Sequence, residues 1–110
     1  MSADACIVYF GLRFETADHE MEALESRTDP RIVAARDARL RHFWENFFVD
    51  GDRYLLFVGA QIAILGPENG LETQLTRAEL ETIMQETKVK LRAAGFQGEP
   101  KLYVQWYPDY

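Results

Sequence analysis

Hydrophobic positions along this chain change period several times, and each change marks an element. Ala5 to Phe14 (ACIVYFGLRF) is almost continuously apolar, which predicts a strand over 5–14 covered on both faces. Thr16 to Ser26 is polar and acidic, with Met21 and Leu24 three apart, and predicts a short helical stretch. Thr28-Asp29-Pro30 then offers a capping side chain and a first-turn proline. Beyond it, Ile32, Val33, Leu40, Phe43, Trp44 and Phe47 fall within an arc of roughly 120° at helical spacing. This predicts a helix over 30–47, stopped by Asp50-Gly51-Asp52. A strand over Phe43–Val49 is the competing reading. The adjacent pairs Phe43-Trp44 and Phe47-Phe48 break its alternation, whereas the helical arc continues through Phe47.

Tyr54–Val58 and Gln61–Leu65 read as two strands joined at Gly59-Ala60, a hairpin over 54–65. Gly66-Pro67-Glu68-Asn69-Gly70 is a loop, and alternation at Leu71, Thr73 and Leu75 predicts a brief extra strand. Thr76-Arg77-Ala78-Glu79 is a capping box. Leu80, Ile83, Met84, Thr87, Leu91 and Ala94 then share one stripe, and Gly95 sits where a left-handed residue ends a helix, so the second helix covers 76–94. Lys101–Tyr107 alternates cleanly and predicts a last strand, 101–107, stopped by Pro108. The order is strand, helix, strand, strand, helix, strand. It predicts residues 1–110 to be a single α+β domain of the ferredoxin-like βαββαβ kind, a four-stranded antiparallel sheet with two long helices on one face.

Composition narrows the classes. The 110 residues are 47% hydrophobic and 27% charged, as in ordinary soluble domains. No apolar run nears the roughly 20 residues that span a bilayer, so no membrane partner is expected. The apolar start lacks a basic flank and reads as a strand rather than a signal peptide. A single cysteine, Cys6, excludes an internal disulfide and fits a reducing, cytoplasmic setting. Twelve Lys and Arg against eighteen Asp and Glu give a formal charge of −6, which opposes nucleic-acid binding. The acid crowds Glu15 to Asp29, next to a helix bearing Arg31, Arg36, Arg39 and Arg41, a self-complementary layout.

Candidate chemistry is sparse. His19/Glu22 and His42/Glu45 share helical spacing, but two histidines and one cysteine do not make a usual zinc site, so no metal and no cofactor is expected. No nucleophile elbow and no phosphate-binding glycine pattern occurs, so no catalytic residues are assigned. Arg36 projects into the centre of the predicted apolar arc, where a guanidinium must pair, bind an anion or snorkel. On the first strand, Ile7, Tyr9, Gly11 and Arg13 share the side expected to lack helices. There they would meet Tyr103, Gln105 and Tyr107 of the last strand. The expected binding residues are therefore Tyr9, Arg36, Tyr103 and Tyr107. They imply an acidic, non-enzymatic interaction protein that binds a protein, including a second copy of itself, through an aromatic sheet face. The alternative is a ligand-binding or enzymatic domain with a pocket between sheet and helices, around Arg36, Trp44 and Trp106.

Overall fold

A computed structural model describes residues 4–45 and 54–107 of the chain. It contains β1 (Ala5–Thr16), a single 3₁₀ turn at Asp18–Glu20, α1 (Met21–Glu25), α2 (Pro30–Asp37), β2 (Arg41–Glu45), β3 (Tyr54–Leu65), α3 (Arg77–Ala93) and β4 (Lys101–Tyr107). The fold is α+β. Four antiparallel strands form an open sheet in the order β2-β3-β1-β4. Leu24 of α1, Ile32 and Ala35 of α2 and Leu91 of α3 bury themselves with Leu12, Leu56 and Val58 on one sheet face.

The segment expected as one helix over 30–47 holds two elements. Asp29 caps α2 by accepting the Arg31 amide at 2.9 Å, and Pro30 fills the first turn. The helix then stops at Asp37. Arg39 turns left-handed at φ 60°, and the amides of Arg39 and Leu40 return to the carbonyls of Arg36 and Ala35 at 3.1 and 2.8 Å. The chain enters β2, where Phe43 opposes Phe57 and Trp44 opposes Leu56. Adjacent aromatics thus serve opposite faces of a sheet that carries apolar side chains on both, which defeats a test based on alternation. Residues 46 and 47 of the expected helix, and its expected stop at 50–52, lie outside the described residues. Of the two long helices expected, only α3 is long.

The hairpin expected over 54–65 is also corrected: β3 runs unbroken for 12 residues. Gly59 makes no turn there. It faces Gly11 across the β1–β3 ladder. A Cβ on Gly11 would stand 2.2 Å from the Val58 carbonyl oxygen, and one on Gly59 would stand 2.2 Å from that of Phe10. Both positions need glycine because two backbones touch. Next to this contact the register shifts between Val8, opposite Ala63, and Tyr9, opposite Gln61. Ile62 is left without a partner as a β-bulge, which sharpens the local twist.

The second helix follows the sequence closely. The Thr76 hydroxyl oxygen accepts the Glu79 amide and donates to Glu79 Oε1, both at 3.1 Å. Thr87 and Leu91 of the expected stripe are buried, and Gly95 ends the helix at φ 89°. The extra strand expected at Leu71–Leu75 does not form; that stretch carries no regular structure and Leu71 is exposed.

Candidate functional site

The face of the sheet opposite the helices is aromatic. Strand parity sends Ile7, Tyr9 and Arg13 of β1 to this side, with Phe57 and Ile64 of β3, Phe43 of β2, and Tyr103 and Tyr107 of β4. Tyr9 is the hub and is fully buried. Its ring lies 4.0 Å from Phe57 and 5.8 Å from Phe43 in edge-on contacts, and stacks on Tyr103 at 5.0 Å. Such pairs contribute about 0.5–1.5 kcal/mol each beyond their buried area.

Arg13 completes the cluster. Four residues beyond Tyr9 on the same strand, its guanidinium lies 4.1 Å from the centre of the Tyr103 ring. Its Nε donates to the Tyr9 hydroxyl at 3.1 Å, Nη2 donates to the same oxygen, and Nη2 also reaches Gln105 Oε1 at 3.3 Å. Burial pushes the Tyr9 phenol above its ordinary pKa, partly offset by the hydrogen bond and charge of Arg13. A buried, protonated, hydrogen-bonded phenol is a structural group rather than a nucleophile. What the face offers outward is the half-buried set Arg13, Phe43, Tyr103, Gln105 and Tyr107.

Three of the four expected binding residues, Tyr9, Tyr103 and Tyr107, therefore share one cluster. Arg36 is elsewhere. It lies exposed in the last turn of α2, in the helical layer. Its central place in an apolar arc vanishes because Phe43 and Trp44 are not helical; the residues that α2 buries are Ile32 and Ala35. Sequence reasoning missed Phe43 and Phe57. The adjacency of Phe43 and Trp44 was the available signal, since neighbouring residues of a strand serve opposite faces of its sheet.

A second feature lies on the helical side. A cavity of about 360 Å³ opens between α1, α2 and β2, lined by Leu24, Glu25, Arg27, Ile32, His42, Phe43 and Trp44. Burial, followed by the charges of Arg27 and Arg36, holds the His42 imidazole below its ordinary pKa. Its Nδ1 is buried and has no hydrogen-bond partner among the described residues. The two tryptophans do not meet in one pocket: Trp44 lines this cavity on the β2 edge, and Trp106 stands exposed on the β4 edge. No three His, Cys, Asp or Glu side chains among the described residues converge to hold a metal ion, and no described helix is long and apolar enough to cross a membrane.

In comparison with known proteins, no family model, curated protein or solved structure matches the chain.

Proposed function

We propose that the chain is a non-enzymatic binding domain of ferredoxin-like arrangement that holds another protein against its aromatic sheet face. The observation that carries this reading is the placement of Arg13 across Tyr103 on the side opposite the described helices, beside Tyr107 and Gln105. Arginine and tyrosine are the residues in which binding energy concentrates at protein interfaces, because each joins a large contact area to a polar handle. Here the buried Tyr9 and Phe57 form a rigid floor beneath them, so little side-chain freedom is lost on docking. The net charge of −6 favours basic partners and steers their approach, and a single free cysteine suits a reducing, cytoplasmic setting. The ferredoxin-like reading is supported by the strand order β2-β3-β1-β4, in which the first strand lies between the third and the fourth.

Affinity capture with the wild-type chain and a Tyr103→Ala/Tyr107→Ala variant, side by side, tests the proposal. Both tyrosines are half-exposed, so the variant is expected to keep its far-UV circular dichroism. Proteins held by the wild type and lost from the variant support the reading. Identical captured sets overturn it.

A second reading has its own observation. The cavity beside His42 is lined by Arg27 and Glu25, with Arg36 and Arg41 close enough to act on the imidazole, so three arginines stand against one carboxylate. It suits a small anionic ligand, and calorimetry with inorganic phosphate and benzoate tests it; no heat from either removes it.

A further inference from the structure

Among the described residues the sheet ends in β2 on one side and β4 on the other, and the side chains along β4 are not those of a protected edge. β4 lies at the end of the order β2-β3-β1-β4, so among the described residues the alternate amides and carbonyls of Leu102–Trp106 that point away from β1 meet no further strand. Protected edges carry charges, prolines or bulges. From Leu102 to Tyr107 this one carries none. Its aromatic-face residues, Tyr103 and Tyr107, pack against the Tyr9 cluster. Its other row stands open: Leu102 is 47%, Val104 68% and Trp106 58% exposed. That row lies on the helical side of the sheet, yet α3 packs on β3 and β1 and stops short of covering it. A strip of leucine, valine and tryptophan beside an unpaired backbone is a binding surface in search of a strand.

The order of residues says which strand. An antiparallel copy of β4 centred on Val104 sets Val104 against its own equivalent, Leu102 against Trp106 and Tyr103 against Gln105. No like charges meet, and the large Trp106 faces the smaller Leu102 twice. This is the self-complementarity that a two-fold interface requires. We propose that two copies of this chain pair along β4, joining their sheets into one of eight strands. The three exposed side chains supply on the order of 300 Å² of apolar surface per copy. The paired backbones add to this toward the roughly 800 Å² per partner of a stable dimer. Thr87 and Lys90 of α3 line a groove with Arg41 and Gln61 on the β2 side. The surface is distinct from the aromatic face, and the proposal goes beyond the reading given above.

Light scattering over a dilution series tests it. The wild-type chain is expected at twice its 12.7 kDa when concentrated, falling toward the single mass on dilution. Val104→Lys, which sets two lysines against each other, is expected to weaken association at least 100-fold while leaving circular dichroism unchanged. A Cys6→Ala/Val104→Cys variant is expected to form a disulfide-linked dimer under mild oxidation; Cys6→Ala/Leu102→Cys, whose equivalents lie far apart in this register, is expected not to. A wild type that stays at single mass up to about 1 mM overturns the proposal and leaves the aromatic face free for an unlike partner. So does a dimer that survives Val104→Lys and shows no preference between the two cysteine positions. If Tyr103→Ala/Tyr107→Ala dissolves that dimer instead, the second copy sits on the aromatic face.

Discussion

Arg13 and Tyr9 stand four residues apart on one strand, and the arginine Nε donates to the phenol oxygen at 3.1 Å. The same guanidinium covers the ring of Tyr103, so one side chain satisfies a buried hydroxyl and roofs a half-buried ring. Arg13→Met keeps the apolar stem and removes both functions. Because it leaves the Tyr9 hydroxyl without its donor, a loss of about 1–3 kcal/mol is expected in urea unfolding. Tyr9 also makes stability fall in alkali. Its folded pKa is raised, so the unfolded chain ionises first. The stabilisation is complete below pH about 10 and drains as pH rises beyond it. Tyr9→Phe is expected to flatten this alkaline limb.

Asp29 governs the acid side. Its carboxylate caps α2 and pairs with Arg31 at 2.8 Å, while Arg31 also reaches Glu20 at 3.3 Å. The Arg31 hydrogen bond is the chief cause that holds Asp29 below its ordinary pKa. With a folded pKa below the unfolded one, the stabilisation is present above pH about 4 and is lost as pH falls through the folded value. Asp29→Asn keeps a capping oxygen and loses the charge. It is expected to cost about 1–2 kcal/mol at pH 7, with the gap to wild type closing at acid pH. Asp29→Ala removes the cap as well and is expected to cost more.

His42 acts in a higher window. Burial and the neighbouring Arg27, Arg36 and Arg41 lower its pKa, with the Leu40 backbone opposing them weakly. The unfolded chain therefore takes up a proton more readily, so stability is full above pH about 6.5 and declines as pH falls from there. His42→Val is expected to lie within about 1 kcal/mol of wild type at pH 8, since it also removes a buried nitrogen without a partner. Between pH 6.5 and 5 it should hold its urea midpoint while the wild type loses ground. Parallel curves would show that His42 is not the group responsible.

Three helices end in the same left-handed step, and only one uses glycine. Gly95 follows α3, whereas Arg27 follows α1 at φ 61° and Arg39 follows α2 at φ 60°. A side chain in this conformation costs about 1 kcal/mol relative to glycine. Arg27→Gly and Arg39→Gly are each expected to leave stability unchanged or raise it by up to about 1 kcal/mol, because the greater freedom of glycine in the unfolded chain offsets part of the gain. A loss above 1 kcal/mol in either would show that the arginine side chain holds the turn.

These arginines also explain what the sequence concealed. The strands at each end of the chain, the capped α3 and the tyrosine pairing across β1 and β4 were legible, because alternation and capping are local signals. The end of α2 was not. Its stop carries Arg39 where glycine would have announced it, so a short helix and a strand merged into one apparent arc that put Arg36 at its centre. Gly59 misled in the opposite sense. It resembled a turn, but it is bare because the Phe10 carbonyl lies where a side chain would be. That contact joins residues far apart in sequence, and no local pattern encodes it. The exposed row of β4 escaped notice for a similar reason: alternation assigns a residue to a face, while the reach of α3 decides whether that face is covered.

The two sheet edges differ in a way that limits how far strands can add. β2 opens on the charged, exposed Arg41, whereas β4 is uncharged after Lys101. Pairing through β4 would consume that edge in both copies and leave the β2 edges, each opening on Arg41, on the outside. Such a contact closes on itself. The strip of leucine, valine and tryptophan that would invite a neighbour is used up in receiving it, so a third copy would find no β4 edge to join.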